Sequence, residues 1–143
     1  MEDQITPVEE GEFVYRRVHR SFYDENLTLP IQPTAFRPNQ NDATGLSVFR
    51  SRFVAAQDTL ANVPEEKRGD YVVVRIAVQE LTRLGLSVKP EPDPAGPPGH
   101  AVIPELGWDA YNADKKRLKD VQLELAVVAS RDIAHRPARP SRE

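Results

Sequence analysis

The chain has 143 residues, 39% of them hydrophobic and 29% charged, which is typical of one small soluble domain. Its net charge of −3 provides no general attraction to nucleic acid, and the absence of cysteine excludes disulfides, thiolate metal sites and cysteine nucleophiles. No apolar run approaches the roughly 20 residues that span a bilayer. The acidic start also lacks the layout of a secretory signal, so we expect a cytoplasmic protein that does not enter membranes.

Charge is concentrated at the two ends of the chain. Residues 1–12 contain five acids and no base, whereas residues 131–143 contain four arginines and two acids. The first residues also show little hydrophobic periodicity. We therefore predict a flexible acidic N-terminus over 1–11, a single domain over 12–130 and a basic flexible C-terminal tail over 131–143.

Thirteen prolines cut the chain into short elements. Alternating and β-branched runs predict strands at Phe13–Val18, Leu46–Arg50, Tyr71–Val78 and His100–Ile103, with shorter extended pieces near Leu27–Leu29, Thr34–Phe36 and Leu86–Val88. The Tyr71–Val78 run carries a single charge, so we expect a central strand that is buried on both faces. The proline-rich residues 89–99 are predicted to form an extended surface loop.

Helical spacing appears in three places. It predicts a short helix after an N-cap at Ser51, two helical turns closed by Gly85, and a longer helix from about Asn112 to Ser130. Strands and helices do not alternate regularly, which indicates the α+β class. We predict a single small domain with a mixed or mainly antiparallel sheet, two short helices and one longer C-terminal helix.

Several apolar runs carry an arginine inside or at the end of the run. These residues are Arg16, Arg17, Arg37, Arg50 and Arg75. Alternation in the first strand places Arg16 between two valines, so its side chain is expected to point toward a buried side. An unpaired guanidinium is costly there, and each arginine needs a carboxylate of the protein or a bound anion. Either the arginines pair internally or snorkel at strand ends, or they converge on an anionic ligand that suits the planar guanidinium fork.

Two serines are candidate nucleophiles, but their sequence context is weak. Ser47 or Ser51 would act with one of the histidines and with Glu80 or Asp93, although no GxSxG motif is present. A serine in a strand or at a helix N-cap also has an ordinary structural explanation.

His19 and His100 lie at the ends of predicted strands, where the rim of a site is often found. Their spacing matches no HxH, HxxxH or HExxH motif, so we predict neither a metal nor a resident cofactor. Trp108 is either an exposed anchor for a partner protein or a lid over the sheet. The basic tail is either a docking segment or a solvated end.

Six stretches carry a resemblance to other proteins: Val14-Tyr15-Arg16-Arg17-Val18-His19, Ala35-Phe36-Arg37-Pro38, Leu46-Ser47-Val48, Glu80-Leu81-Thr82-Arg83-Leu84-Gly85-Leu86, Pro92-Asp93-Pro94 and His100-Ala101-Val102-Ile103. Together they resemble a set of small uncharacterised bacterial proteins over roughly residues 12–130. The resemblance implies a compact fold and a bacterial origin, without a mechanism.

Tyr15-Arg16 on the first strand and Leu46-Ser47-Val48 on a later strand are also similar to the ADP-ribosyltransferase superfamily. That resemblance implies that Arg16 or Arg17 holds the NAD pyrophosphate and that Ser47 supports the nicotinamide pocket. Glu80 would be the catalytic acid, but it falls in a predicted helix rather than at a strand end, which departs from the pattern of that superfamily.

We therefore expect a non-enzymatic interaction or accessory module that binds a partner protein through an arginine-rich sheet face, the proline loop and the tail. The residues predicted to bind the partner or an anion are Arg16, Arg17, His19, Arg37, Ser47, Arg50, His100 and Trp108. An NAD- or nucleotide-binding enzyme of the ADP-ribosyltransferase type is the first alternative. A nucleic-acid-binding protein is the second, and the net charge of −3 disfavours it.

Overall fold

The computed structural model describes residues 2–136, which fold around one six-stranded sheet. The strands are β1 Phe13–His19, β2 Leu46–Arg50, β3 Tyr71–Ala77, β4 Lys89–Pro90, β5 His100–Ile103 and β6 Ile133–His135. They lie in the order β4-β5-β2-β1-β3-β6, and every neighbouring pair is antiparallel. The α-helices of the described residues are α1 Val78–Arg83, α2 Trp108–Ala113 and α3 Lys115–Ser130. The α+β class and the longer C-terminal helix are confirmed.

The main core lies between one face of the sheet and α3. Val14 and Val18 of β1 are buried in it, together with Leu125 of α3. A 3-10 turn at Pro33–Phe36 contacts α3 and contributes the fully buried Phe36 to the same apolar cluster. Because side chains alternate along a strand, Arg16 starts from this core-facing side of β1, as predicted.

A smaller apolar cluster covers part of the opposite face of the sheet. Ala56 and Leu60 pack there against Val73 of β3, with Tyr15 and Tyr71 partly buried beside them. Strand β3 is thus covered on both faces, as its continuous apolar run indicates.

Strands β1 and β2 separate partway along their length. They pair only at Val14 with Arg50 and at Tyr15 with Phe49. In contrast, β1 stays paired with β3 from its first residue to its last, where His19 lies opposite Tyr71. The second half of β1 therefore faces a gap where a regular sheet would continue, and this gap positions the site described below.

Two glycines allow β2 and β5 to begin in crowded surroundings. Gly45 has a φ of +151°, and a Cβ at this position would lie 2.8 Å from the carbonyl carbon of Ile103. Gly99 has a φ of +85°, and its Cβ would lie 3.0 Å from the carbonyl oxygen of Arg50. Any side chain at these positions would force the backbone apart. Gly99 thereby fixes the start of β5 and the placement of His100.

The α-helix predicted after Ser51 is wrong. A short 3-10 turn occupies Gln57–Leu60 within that stretch, and another follows it at Glu65–Asp70. Thr59 shows the reason: its amide and its hydroxyl both donate to the carbonyl of Ala56, at 3.2 and 2.7 Å, which closes a three-residue turn.

The shorter extended pieces are also wrong. None of the stretches Leu27–Leu29, Thr34–Phe36 and Leu86–Val88 forms a strand in the structure. Strand β4 appears at Lys89–Pro90 instead, at the edge of the sheet, where a proline is tolerated because one side of an edge strand needs no donor. The predicted long helix is interrupted at Asp114 and therefore divides into α2 and α3.

Both ends of the described chain contact the domain. Backbone carbonyls of Gln4, Thr6 and Pro7 accept hydrogen bonds from Arg50, and β6 pairs with β3. The remaining part of the predicted basic tail, residues 137–143, lies outside the described residues.

Candidate functional site

Arg16 enters the gap between β1 and β2 from the core face. Its Nε donates to the carbonyl of Ala35 at 3.0 Å, and its Nη1 donates to the carbonyl of Ser47 at 2.7 Å. Its guanidinium carbon also lies 6.0 Å from the centre of the Phe36 ring. The guanidinium thus bridges the separated strands, because it bonds a carbonyl of β2.

Arg17 approaches the same gap from the opposite face. Its Nη1 donates to the carbonyl of Thr59 at 3.1 Å and to Oδ1 of Asn62 at 2.7 Å. Its guanidinium carbon lies 5.0 Å from the centre of the Phe49 ring, within the range of a cation–π contact. The segment that follows β2 therefore holds Arg17 in place.

Both arginines are held by neutral groups. None of the ion pairs within residues 2–136 involves Arg16 or Arg17. Burial lowers the pKa of Arg16 to about 10, with Asp42 opposing the shift and Arg17 adding to it. Burial also lowers the pKa of Arg17, against the opposing influence of Tyr71. Both side chains remain protonated at neutral pH, so the gap carries positive charge that forms no ion pair with a carboxylate of residues 2–136.

The gap between the strands forms a cavity of about 340 Å³. We call it the split-strand groove, and its polar lining consists of Arg16, Arg17, His19, Asn39, Ser47 and Tyr71. A second cavity of about 410 Å³ continues from Arg16 to Arg37 and Asp42. A third cavity of about 70 Å³ lies between Arg17 and His100. Arg16 thus lines both the groove and the second cavity, and Arg17 lines both the groove and the third cavity.

Ser47 lines the groove and His100 lines the third cavity, and the two side chains form a hydrogen-bonded pair. The Oγ of Ser47 lies 2.7 Å from Nε2 of His100, and Nδ1 of His100 lies 2.7 Å from the carbonyl oxygen of Glu91. The ring of His100 also meets the Phe49 ring edge-on, with centroids 5.4 Å apart. This pair depends on the register of β2 with β5, in which Ser47 lies opposite Val102.

His19 lines the groove but has a local structural role. Its Nδ1 accepts from the backbone amide of Ser21 at 3.1 Å and lies 2.9 Å from the hydroxyl of the same residue. This bonding caps the short 3-10 turn at Arg20–Phe22. The ring packs edge-on against Tyr71. His19 is exposed, and so it lies at the rim of the groove.

Arg50 lies apart from the groove, with its side chain fully buried. Its Nε and Nη2 donate to the two carboxylate oxygens of Glu12, at 3.0 and 2.8 Å. Its Nη1 and Nη2 also donate to the carbonyls of Gln4, Thr6 and Pro7. All five donors of the guanidinium are used inside the protein, and none remains for a ligand.

The other predicted arginines and the tryptophan are dispersed. Arg37 is exposed and lines the second cavity rather than the groove. Arg75 is exposed and pairs with Asp132 at 2.8 Å. Trp108 begins α2, half-buried, and its backbone amide donates to the carbonyl of Asp42 at 2.9 Å. The structure therefore brings together Arg16, Arg17, His19, Ser47 and His100, and separates them from the rest.

Sequence reasoning missed several partners of the site. Asn39 and Tyr71 line the groove, while Asn62 and the Glu91 carbonyl hold its charged and polar side chains. Asn39 follows Pro38 in a predicted turn, which is a weak signal. The others depend on contacts between distant parts of the chain, and nothing in their local sequence distinguishes them.

Within residues 2–136, no three side chains of His, Cys, Asp or Glu are grouped as a metal site requires. None of the helices in that part of the chain combines the length and the hydrophobicity needed to cross a membrane.

No protein-family model, curated protein or solved structure is significantly similar to the chain. The resemblances to small bacterial proteins and to ADP-ribosyltransferases therefore stay predictions.

Proposed function

We propose that the protein is a binding module that recognises an anionic group, a phosphate or a carboxylate, in the split-strand groove. The observation that carries this proposal is that Arg16 and Arg17 are partly buried, positively charged and bonded only to neutral partners among the described residues. A bound anion would supply the charge that the protein itself supplies to Arg50. Guanidinium groups bind phosphate and carboxylate through charge-assisted hydrogen bonds.

The sequence predicted an interaction module with a broad binding surface, and the proposal now assigns binding to one concave site. The groove volume of about 340 Å³ suits an anionic small molecule or a single acidic side chain of a partner protein. We place the protein in the cytoplasm as part of this proposal, since a chain without cysteine needs no oxidising compartment.

A nucleotide is the second candidate ligand, because Arg16 and Ser47 meet in the groove. The third residue of the transferase hypothesis does not join them. Glu80 lies in α1, beyond the Ala77 end of β3, whereas the groove lies at the Tyr71 end of that strand. The carboxylate of Glu80 pairs with Arg83 at 3.1 Å. Incubation with NAD should therefore release no nicotinamide. A basic surface for nucleic acid lacks support, since Arg50 is fully buried.

Phosphate titration with thermal melting tests the proposal. At ten times the dissociation constant, a ligand stabilises the native state by about 1.4 kcal/mol, which raises the Tm of a domain of this size by roughly 3–6 °C. Phosphate also stabilises proteins in general by exclusion from their surfaces, so the readout is a difference between variants. We expect Arg16→Met and Arg17→Met to lose most of the specific shift. The matched control Arg75→Met, which removes an ion-paired strand arginine, should retain it.

Equal shifts in the wild type, Arg16→Met and Arg17→Met would contradict the proposal. In that case phosphate acts through general exclusion, and the groove has no specific affinity for it.

A further inference from the structure

The strongest chemical arrangement beside the groove is the pair formed by Ser47, which lines the groove, and His100, which lines the third cavity. Ser47 lies opposite Val102 in the β2–β5 ladder, and His100 is two residues further along β5, so the two side chains are diagonal neighbours on one face of the sheet. Their polar atoms, Oγ and Nε2, are 2.7 Å apart. This is the distance that a nucleophile and its general base require.

The hydrogen bond between His100 and the Glu91 carbonyl determines the direction of the hydrogen bond between Ser47 and His100. The carbonyl oxygen of Glu91 can only accept, so Nδ1 of His100, at 2.7 Å, carries the proton. In the neutral imidazole Nε2 then carries no proton, so it accepts a hydrogen bond from the Ser47 hydroxyl. The histidine is thus in the tautomer that can remove the serine proton. A backbone carbonyl has the orienting position that an aspartate holds in the Ser-His-Asp arrangement.

The surroundings hold this pair rigidly and place positive charge beside it. The ring of His100 is fixed against Phe49, whose ring also lies under the guanidinium of Arg17. On the other side, Arg16 donates to the backbone carbonyl of Ser47 itself. The guanidinium of Arg17, on the same face of the sheet as Phe49 and His100, would stabilise the negative oxygen that forms when a carbonyl group is attacked.

We propose that Ser47 and His100 are the nucleophile and the general base of an esterase, and that its substrates are carboxylic esters whose acyl part carries an anionic group. The choice of an anionic acyl group rests on the proposed function, since Arg16 and Arg17 would hold that group. The nucleophilic pair stands on its own geometry.

The reaction is balanced by the groups present and by water. The Oγ of Ser47 forms a bond to the acyl carbon while its proton moves to Nε2 of His100. The ester C–O bond then breaks, and the leaving alcohol oxygen takes that proton. Water next attacks the acyl-serine, giving one proton to His100. The bond between Oγ and the acyl carbon breaks, and His100 returns the proton to Ser47 as the carboxylic acid leaves.

The chain contains an internal comparison for this proposal. His19 and Ser21 are also in contact, at 2.9 Å, but there Nδ1 already accepts a backbone amide and the pair lies on the exposed rim. Among the described residues, the ring of His19 is hydrogen-bonded to Ser21, whereas the Glu91 carbonyl orients His100. The pair of His19 and Ser21 therefore serves as a structural control.

The first experiment uses a neutral alkyl fluorophosphonate, which phosphonylates an activated serine with loss of fluoride. We expect one adduct on the intact protein, and peptide mass spectrometry should place it on Ser47. Ser47→Ala should abolish the adduct, and His100→Gln should slow labelling by on the order of 10²–10⁴-fold, the usual contribution of a general base. Ser21→Ala, which removes the other serine hydroxyl in contact with a histidine, should label at the wild-type rate. Thermal melting confirms that each variant is folded.

Several outcomes would overturn the nucleophilic pair. They are absence of any adduct on the folded wild type, an adduct on another residue, and labelling of Ser47 at an unchanged rate in folded His100→Gln. The hydrogen bond between Ser47 and His100 would then be a tether between β2 and β5. If His100→Gln fails to fold, the position of the wild-type adduct alone decides the matter.

The second experiment tests the substrate class with two activated esters, mono-4-nitrophenyl succinate and 4-nitrophenyl butyrate. The anionic ester should be cleaved at least tenfold faster in kcat/KM, and Arg16→Met should remove most of that preference. Equal cleavage of both esters would overturn the anionic class.

The two experiments also separate this proposal from binding alone. If phosphate raises the Tm through Arg16 but Ser47 is not labelled, only the esterase fails. If Ser47 is labelled but phosphate has no specific effect, only the anion site fails.

Discussion

The two ends of the β1–β2 pair hold arginines in opposite circumstances. Where the strands are paired, Arg50 is fully buried and uses all five donors, two of them on the carboxylate of Glu12. Where the strands separate, Arg16 makes two hydrogen bonds within the described residues, both to neutral carbonyls. Both side chains are at least partly buried, so burial does not by itself account for the difference between the two arginines. The identity and number of the partners of the guanidinium distinguish them.

The largest expected effect concerns the paired end. Glu12→Gln preserves the shape of the side chain but leaves the buried guanidinium of Arg50 without its counter-charge. Removing one partner of a buried ion pair typically destabilises a protein by about 3–5 kcal/mol. We expect a loss of that size in the free energy of unfolding, measured by urea denaturation.

Asp132→Asn is the matched control for this variant. It removes the carboxylate that pairs with Arg75, where both side chains are more than one-third exposed, so the expected loss is at most about 1 kcal/mol. Similar losses in Glu12→Gln and Asp132→Asn would show that the pair of Arg50 and Glu12 is no more important than a surface contact.

Acid titration examines the same pair without a mutation. Burial alone would raise the pKa of Glu12, but hydrogen bonds from Arg50 and from the Glu9 amide, with the charges of Arg50 and Arg52, hold the pKa below its ordinary value of 4.5. The unfolded chain therefore binds more protons than the folded one between the two pKa values, and stability rises with pH in that range. The contribution is fully present above about pH 4.5 and is lost as the pH falls through the lowered pKa.

Melting temperatures between pH 7 and pH 3 give the measurement. The wild type should lose more stability over the acid part of the range than Glu12→Gln, which has no carboxylate to protonate. Parallel curves for the two proteins would mean that protonation of Glu12 is not linked to folding.

The contrast between the two arginines was only partly predictable from sequence. Alternation with Val14 and Val18 correctly directs Arg16 toward the core side, because strand geometry is local. The partner of Arg50 was not predictable, since Glu12 and residues 2–7 lie in a segment without periodicity whose contacts with Arg50 are distant in sequence. Local pattern carries no information on such contacts.

The candidate site shows the same limit. Ser47 and His100 are 53 positions apart, and they meet only because the β2–β5 register places them diagonally on one face. A shift of one residue would send one side chain to the other face of the sheet. The separation of β1 from β2 is equally invisible in sequence, since both strands show ordinary alternation. Sequence therefore identified the residue types of the site but not their assembly.

The smallest expected effect on stability concerns Arg16, at the end where β1 and β2 separate. Arg16→Met loses two hydrogen bonds, worth about 0.5–1.5 kcal/mol each. It also removes the cost of burying a charged group, the same burial that lowers the pKa of Arg16 to about 10. The two terms oppose each other, so we expect the free energy of unfolding to change by less than about 1 kcal/mol. Urea denaturation in chloride buffer without phosphate measures it.

The companion variant Arg50→Met should lose about 3–5 kcal/mol in the same assay, because it leaves the carboxylate of Glu12 buried without its partner. A loss of that size in Arg16→Met would mean that the two carbonyl bonds of Arg16 are essential to the fold, and the distinction between the two arginines would disappear. A small change combined with loss of the phosphate response would instead show that the protein holds a charge at the split-strand groove for a ligand rather than for its own stability.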